Sequence, residues 1–277
     1  MYPGWITPAS CFEQPFHDMY IFGDSYSDNG QPLKSSNYQT HTFTDRHSNG
    51  PMCAEYFAKM MGSNLYNYAY SGATVDNSIL PRSTLDLHQQ LQTFEKKGGP
   101  VNPPDSTLYA IWIGTNDVLD TFKLQTSGAM RYQTLLHTLA SFYAGLETLY
   151  HMGPVKHLLI IGLLPVDHMP VISSLITHES QRRPMTELVT SYNKGLEQLA
   201  QRFRQEHPGA NVYYYDPQPL AARLFNSQSS FDVATPCLVQ KNFCPDENRR
   251  LWWDDYHPTT VASYMVAKDL YQWMFHA

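Results

Sequence analysis

Five short apolar runs, separated by helix-patterned segments, restrict this sequence more than any other feature. They are Met19–Asp24 (MYIFGD), Asn64–Tyr70 (NLYNYAY), Thr107–Ile113 (TLYAIWI), Lys156–Ile161 (KHLLII) and Asn211–Asp216 (NVYYYD). Each is nearly continuous in apolar or aromatic residues rather than strictly alternating, the pattern of a strand covered on both faces. Between them, Leu135, Leu136, Leu139, Phe142, Tyr143, Leu146 and Leu149 recur at helical spacing. Leu188, Val189, Tyr192, Leu196, Leu199, Ala200 and Phe203 do the same. Shorter helices fit Met52–Met61 and Leu85–Phe94, and a last one fits Thr259–Phe275, opened by Pro258 or Thr259. Strand followed by helix, repeated along the chain, predicts one α/β domain around a mainly parallel sheet.

Such a sheet gathers its working groups on loops beyond the carboxyl ends of its strands. Gly23-Asp24-Ser25 stands at that end of the first run, Gly72 follows the second, and Gly114-Thr115-Asn116-Asp117 follows the third. Three polar motifs therefore fall on one rim. Small polar residues after an apolar run also spell an ordinary turn, so chemistry has to decide.

A serine hydroxyl is a poor nucleophile until a base takes its proton, so Ser25 requires a histidine within reach. The segment WWDDYHPTT, Trp252 to Thr260, offers one. Asp254 and His257 are three residues apart, a spacing that lets a carboxylate orient an imidazole whose other nitrogen faces the serine. Asp255 is the alternative carboxylate, although adjacent side chains usually diverge. Acyl transfer also needs donors aimed at the oxyanion. Gly72 in NYAYSGATVDN allows close backbone approach, and Asn116 in IWIGTNDVLD carries a side-chain amide. Singly, each has a plainer reading: a left-handed turn for Gly72, an Asx-turn or helix N-cap for Asn116, and helix-start chemistry for Asp254 and Pro258. His257 has none.

Together and in this order, the four blocks resemble those of the GDSL family of the SGNH hydrolase superfamily. FGDSYSDNG resembles its nucleophile block, AYSGAT its glycine block, GTND its Gly-x-Asn-Asp block and DDYHP its Asp-x-x-His-Pro block, with Tyr26 where the family name has Leu. The resemblance implies Ser25 as nucleophile, His257 as general base and acid, and Asp254 as orienting carboxylate. It implies an oxyanion hole of the Ser25 backbone N–H, Gly72 and Asn116. It also implies a three-layer α/β/α sandwich with a five-stranded, mainly parallel sheet of flavodoxin-like type, agreeing with the five runs. Residues 1–277 are expected to form a single such domain, with 1–17 as an N-terminal extension. Neither a cofactor nor a metal is expected.

Within the family the chain looks most similar to bacterial secreted lipolytic members: lysophospholipases, phospholipases A and glycerophospholipid–cholesterol acyltransferases. YIFGDSYSDNG, WDDYHPTT and the cysteine-bracketed segment before the last block carry that likeness. It implies a lipid ester substrate, a lysophospholipid or phospholipid, with transient contact to a membrane surface, and a sterol as alternative acceptor in place of water. A carbohydrate ester is the competing substrate class, because Trp112, Trp252, Trp253 and the tyrosines can stack on sugars as well as contact an acyl chain. Their plainer role is packing. A non-enzymatic lipid- or sugar-binding module would usually lack the nucleophile, the histidine or an oxyanion donor, and none is missing.

Composition narrows the partners. The formal net charge is -6 and Lys and Arg form no cluster, so nucleic acid is not an expected partner. Among 19 tyrosines, most are expected at the margin of the core. No apolar run has the length of a bilayer span; the best, HLLIIGLLPV, is strand-sized. The N-terminus lacks the basic and apolar regions of a signal peptide, which suits either a cytosolic start or a mature secreted chain written without its leader. The lipolytic resemblance favours the second, in a bacterial extracellular or periplasmic setting. Of Cys11, Cys53, Cys237 and Cys244 none forms a C-x-x-C pair, and no H-E-x-x-H occurs, so a metal site has no support. Cys237 and Cys244 bracket LVQKNF and read either as two unrelated thiols or as a local disulfide pinning a loop; the disulfide is the expectation.

Overall fold

The computed structural model describes residues 15–30, 34–35, 46–125, 127–226 and 231–276. Cys11, most of the expected N-terminal extension and residues 41–45 of the polar segment HTFTDRHSNG (41–50) lie outside them. The five apolar runs form β1 (Asp18–Gly23), β3 (Asn64–Asn67), β4 (Thr107–Trp112), β5 (His157–Ile161) and β6 (Asn211–Tyr215), all parallel. A two-residue strand, β2 (Lys34–Ser35), adds antiparallel to the free edge of β3, giving the order β2-β3-β1-β4-β5-β6.

Helices cover both faces. In chain order they are α1 (Cys53–Met61), α2 (Leu87–Lys96), α3 (Thr115–Leu124), α4 (Gly128–Met152), α5 (Pro170–Leu175), α6 (Arg183–Glu206), α7 (Gln218–Leu224) and α8 (Thr260–His276). α1 packs on α8, while α2, α3, α4 and α6 pack among themselves. The sheet lies between these two groups, the expected three layers. Double coverage explains why β1 and β4 are buried along their whole length. Tyr20 on β1 lies level with Tyr66 on β3 and Tyr109 on β4. The three rings stack with centroids 4.6 and 5.7 Å apart; Tyr20 and Tyr109 belong to the core, and partly buried Tyr66 packs at its margin.

Several expectations needed correction. The run Asn64–Tyr70 stops as a strand at Asn67. The helix over 135–149 starts earlier, at Gly128, because Ser127 caps it by accepting from the Met130 N–H at 3.2 Å. Helices α3, α5 and α7 were not expected: α5 and α7 are too short for a clear apolar period, and α3 opens on small polar residues that read as a loop. Thr259 does open the last helix, its Oγ1 accepting from the Ala262 N–H at 3.2 Å. Trp112, Trp252 and Trp253 are all buried and serve as packing. Among the described residues no helix is long and apolar enough to cross a membrane.

Two features place the site. From β1 the chain runs outward to β3 and then returns across β1 to β4, so the sheet order reverses direction at β1. Loops leaving a reversal point diverge and open a crevice beyond the carboxyl ends of the strands. The end of β1 also touches its neighbour: a Cβ on Gly23 would lie 2.2 Å from the Trp112 carbonyl oxygen, so only glycine fits. The Gln90 side-chain amide clasps that backbone, accepting from Gly23 N–H and donating to Gly23 O, both at 2.9 Å.

Candidate active site

Immediately after Gly23 the chain tightens. The Asp24 carbonyl accepts from the N–H groups of Ser27 and Asp28 at 3.0 and 2.9 Å, and Asp24 Oδ1 accepts from Tyr26 N–H at 3.0 Å. This turn lifts Ser25 to the rim while leaving it largely enclosed.

The imidazole of His257, 232 residues away, reaches it: Nε2 lies 2.9 Å from Ser25 Oγ. On the ring's other edge, Nδ1 lies 2.8 and 2.9 Å from the two oxygens of Asp254. Asp254 Oδ1 also accepts the backbone N–H groups of Tyr256 and His257, each at 2.8 Å. Burial raises the carboxyl's proton affinity, but the bonds from the His257 ring and the two N–H groups outweigh it and hold Asp254 below the usual carboxylate range. A charged carboxylate on Nδ1 leaves Nε2 free to accept a proton from Ser25. Asp255 takes no part: its side chain is exposed and its carbonyl accepts from Val171 N–H at 3.1 Å.

Gly72 and Asn116 are brought together by their own loops. Gly72 has φ of +80°, a left-handed conformation that suits glycine. Asn116 sits in the first turn of α3, two residues beyond the N-cap position held by Gly114, and its Nδ2 donates to Ala73 O at 2.9 Å. The amide's second N–H is thereby turned to a defined direction. The glycine loop is anchored to the nucleophile turn through Asp28, whose Oδ2 accepts from Ser71 N–H at 2.7 Å and Ser71 Oγ at 2.8 Å.

Asp24 and Asp117 organise these loops, and their environment is unusual. Asp117 accepts Val75 N–H on both oxygens, at 3.1 and 3.2 Å. Burial pushes the Asp24 carboxyl up to about 6 and that of Asp117 up to about 7, and the charge of Asp24 adds to the second shift.

Residues that sequence reasoning passed over also converge here. Tyr26, buried beside the nucleophile, donates from its hydroxyl to Tyr256 O at 2.8 Å and so joins the Ser25 turn to the His257 loop. His47 stacks on His257, with centroids 4.5 Å apart and planes 21° apart. Arg82 bonds to both the Gly72 loop and α3. Tyr26 lies within the nucleophile block without a role of its own there; His47 and Arg82 had no motif to announce them.

Cys237 and Cys244 form the expected disulfide, closing a hairpin of β7 (Leu238–Val239) and β8 (Asn242–Phe243). The hairpin is bonded to the segment leading into the site: Cys237 N–H donates to Trp252 O at 3.0 Å and Leu238 N–H to Trp253 O at 2.6 Å. Cys53 is a buried free thiol. Two groups of described residues bring three donor-bearing side chains within 4.8 Å of one another: His47, Asp254 and His257, and Glu147, Glu206 and His207. In the first, His257 is spent on Ser25 and Asp254; in the second, Glu147 bonds His207 and Glu206 bonds Tyr143 and Arg202.

A hydroxyl, an imidazole and a carboxylate in series, next to an amide and a glycine loop, can carry out acyl transfer. The family model described as GDSL-like Lipase/Acylhydrolase matches residues 19–270. A GDSL esterase/lipase of Arabidopsis thaliana is 22% identical, over 94% of this chain and 90% of the relative. An acetylesterase of Thermothelomyces thermophilus is 26% identical, over 73% of this chain and 67% of the relative. Among solved structures, an acetylxylan esterase from Geobacillus stearothermophilus superposes with a TM-score of 0.51 at 17% identity, covering 92% of each chain. A lipase from a goat rumen metagenome gives 0.52 at 14% identity, covering 91% of this chain and 95% of that one. The sequence relatives named here are plant and fungal esterases rather than bacterial lysophospholipases.

Proposed function

The chain belongs to the GDSL-like lipase/acylhydrolase family and is a carboxylic ester hydrolase; within that class we propose that it acts on acyl esters of lipids, lysophospholipids first among them. The observation that carries the chemistry is the unbroken series Asp254–His257–Ser25, with bonds of 2.8 and 2.9 Å. Ser25 attacks the ester carbonyl as His257 takes its proton, and the Asp254 carboxylate steadies the imidazolium. Negative charge on the carbonyl oxygen falls to the backbone N–H groups of Ser25 and Gly72 and the amide of Asn116. His257 then protonates the leaving alcohol, and water, activated by the same imidazole, releases the fatty acid.

The apolar character of the rim supports a lipid substrate. Tyr256, next to His257, is exposed, and Lys123 near the end of α3 lies 5.5 Å over its ring. Exposed Phe243 stacks on Trp253 at 5.5 Å, and Leu175 closes the short helix bonded to Asp255. An oxidising, extracytoplasmic setting goes with the Cys237–Cys244 bond. A carbohydrate acetylesterase is the second reading, favoured by acetylesterases among the relatives.

The test is a panel of p-nitrophenyl esters from acetyl to palmitoyl, followed by monoacyl and diacyl phospholipids with and without cholesterol, on wild type and Ser25→Ala. The lipid reading requires turnover of long acyl chains and of monoacyl phospholipid. Turnover confined to acetyl esters moves the assignment to carbohydrate esters, and acyl transfer to cholesterol in preference to water makes the protein an acyltransferase. Ser25→Ala must lose covalent labelling by a fluorophosphonate; a labelled variant would place the nucleophile elsewhere.

A further inference from the structure

The bonds from Asp254 and Ser25 both lie at the edge of the His257 ring. They fix where the imidazole sits along its own plane, but they resist poorly a swing of the ring out of that plane. That restraint has to come from whatever covers the ring's faces. Among the described residues, three aromatic groups approach it. Tyr26 and Tyr256 approach at 6.2 and 6.1 Å with planes at 70° and 50°, so neither lies flat against a face of the ring. His47 lies parallel at 4.5 Å.

His47 is exposed, whereas the residues on either side of it, Arg46 and Ser48, are buried. It therefore has no role in the core, and its position is imposed by its neighbours. Arg46 Nη1 bonds Glu55 Oε2 on α1 at 2.7 Å and Gly50 O at 3.2 Å. Ser48 Oγ donates to Pro258 O at 3.2 Å, and Asn49 Oδ1 accepts from Thr260 N–H at 2.8 Å. The segment is thus pinned to α1 on one side and to the residues directly after His257 on the other. Any shift of the start of α8 carries both rings together.

We propose that His47 is a positioning residue for His257: its ring face forms the outer wall that keeps the imidazole in the plane joining Asp254 to Ser25. The role rests on the triad reading but not on the identity of the acyl ester. It needs the flat face of the ring and not its nitrogens, so Phe is expected to replace it and Ala is not.

The experiment measures the second-order rate of labelling by a fluorophosphonate, which reports on attack by the nucleophile and its base without acyl-enzyme turnover, alongside kcat and KM on p-nitrophenyl butyrate. Wild type, His47→Ala, His47→Phe and Ser25→Ala are compared, with thermal midpoints as a check on folding. His47→Ala is expected to label about three- to tenfold more slowly, the range one aromatic stack supports. Its kcat should fall by the same factor, with KM within twofold and an unchanged midpoint. His47→Phe should recover most of the rate. Labelling of His47→Ala at the wild-type rate overturns the proposal. So does a slow His47→Phe, which would show that a nitrogen and not the ring face is needed. If wild type itself is not labelled while p-nitrophenyl ester turnover persists, the triad reading fails, a result separate from any effect of His47.

Discussion

Arg82 and Asp120 meet in a two-point ion pair, Nε to Oδ2 and Nη2 to Oδ1, each at 2.8 Å, while Arg82 Nη1 donates to Gly72 O at 3.3 Å. Asp120 lies on α3, the helix that begins with Thr115 and Asn116. One guanidinium thus fixes the distance between the two loops assigned to the oxyanion. The fork geometry belongs to Arg and is not reproduced by Lys. Arg82→Lys and Asp120→Asn should each lower kcat about tenfold with little change in KM, and the double variant should be no worse than either single one. Additive losses in a double-mutant cycle on kcat would show that the two residues do not act as a unit.

Asn116→Ala should lower kcat on a soluble ester on the order of a hundredfold or more, the usual cost of one oxyanion donor. Because Asn116 also donates to Ala73 O, the variant leaves a buried carbonyl without that partner. Melting must therefore be followed in parallel, and a wild-type turnover number for a folded variant would remove Asn116 from the oxyanion hole.

Stability should fall as the pH rises through the carboxyls of Asp24 and Asp117. Both bind their protons more tightly in the folded protein, at about 6 and about 7 against 3.8 for the free side chain. Below about pH 4 both states are protonated and neither group matters; between about pH 4 and 7 the unfolded chain ionises freely while the folded one resists, so folding is progressively disfavoured. Asp117→Asn removes one of these ionisations. Its thermal midpoint relative to wild type should climb from pH 4.5 to pH 7.5 and then level off. Parallel curves for the two proteins would mean that Asp117 does not titrate there.

Breaking the Cys237–Cys244 bond should lower stability without removing activity at 25 °C. Closing a loop this short limits the unfolded chain by about 2–3 kcal/mol, equivalent to roughly 4–8 °C in midpoint for a chain of this size. The hairpin's bonds to Trp252 O and Trp253 O hold it in place after the crosslink is cut. Cys237→Ser/Cys244→Ser measured by calorimetry and by ester turnover checks both halves of this expectation.

Residues within one block announced themselves in the sequence because their chemistry is local. Asp254 and His257 share a turn, so their spacing alone allows the carboxylate to reach both the ring and the backbone. The central strands were legible because β1, β4 and nearly all of β5 are covered on both faces and must be apolar, while the outer β3 and β6 are buried only in part and were legible by their aromatic residues. Helix α3 escaped because its first residues are the GTND motif itself, whose small polar side chains read as a loop while its backbone is already helical.

What the chain order settled by itself was the alternation of strand and helix, and with it the rim on which Ser25, Gly72 and Asn116 had to stand. Folding alone decided which side chains face one another across that rim. His47 and His257 lie 210 residues apart, and Arg82 reaches Gly72 and Asp120 from a loop of unremarkable composition. An exposed histidine and an arginine in a polar loop carry no periodic or spacing signal. Their contacts depend on the angle at which two loops leave the sheet, which is fixed by packing between distant elements.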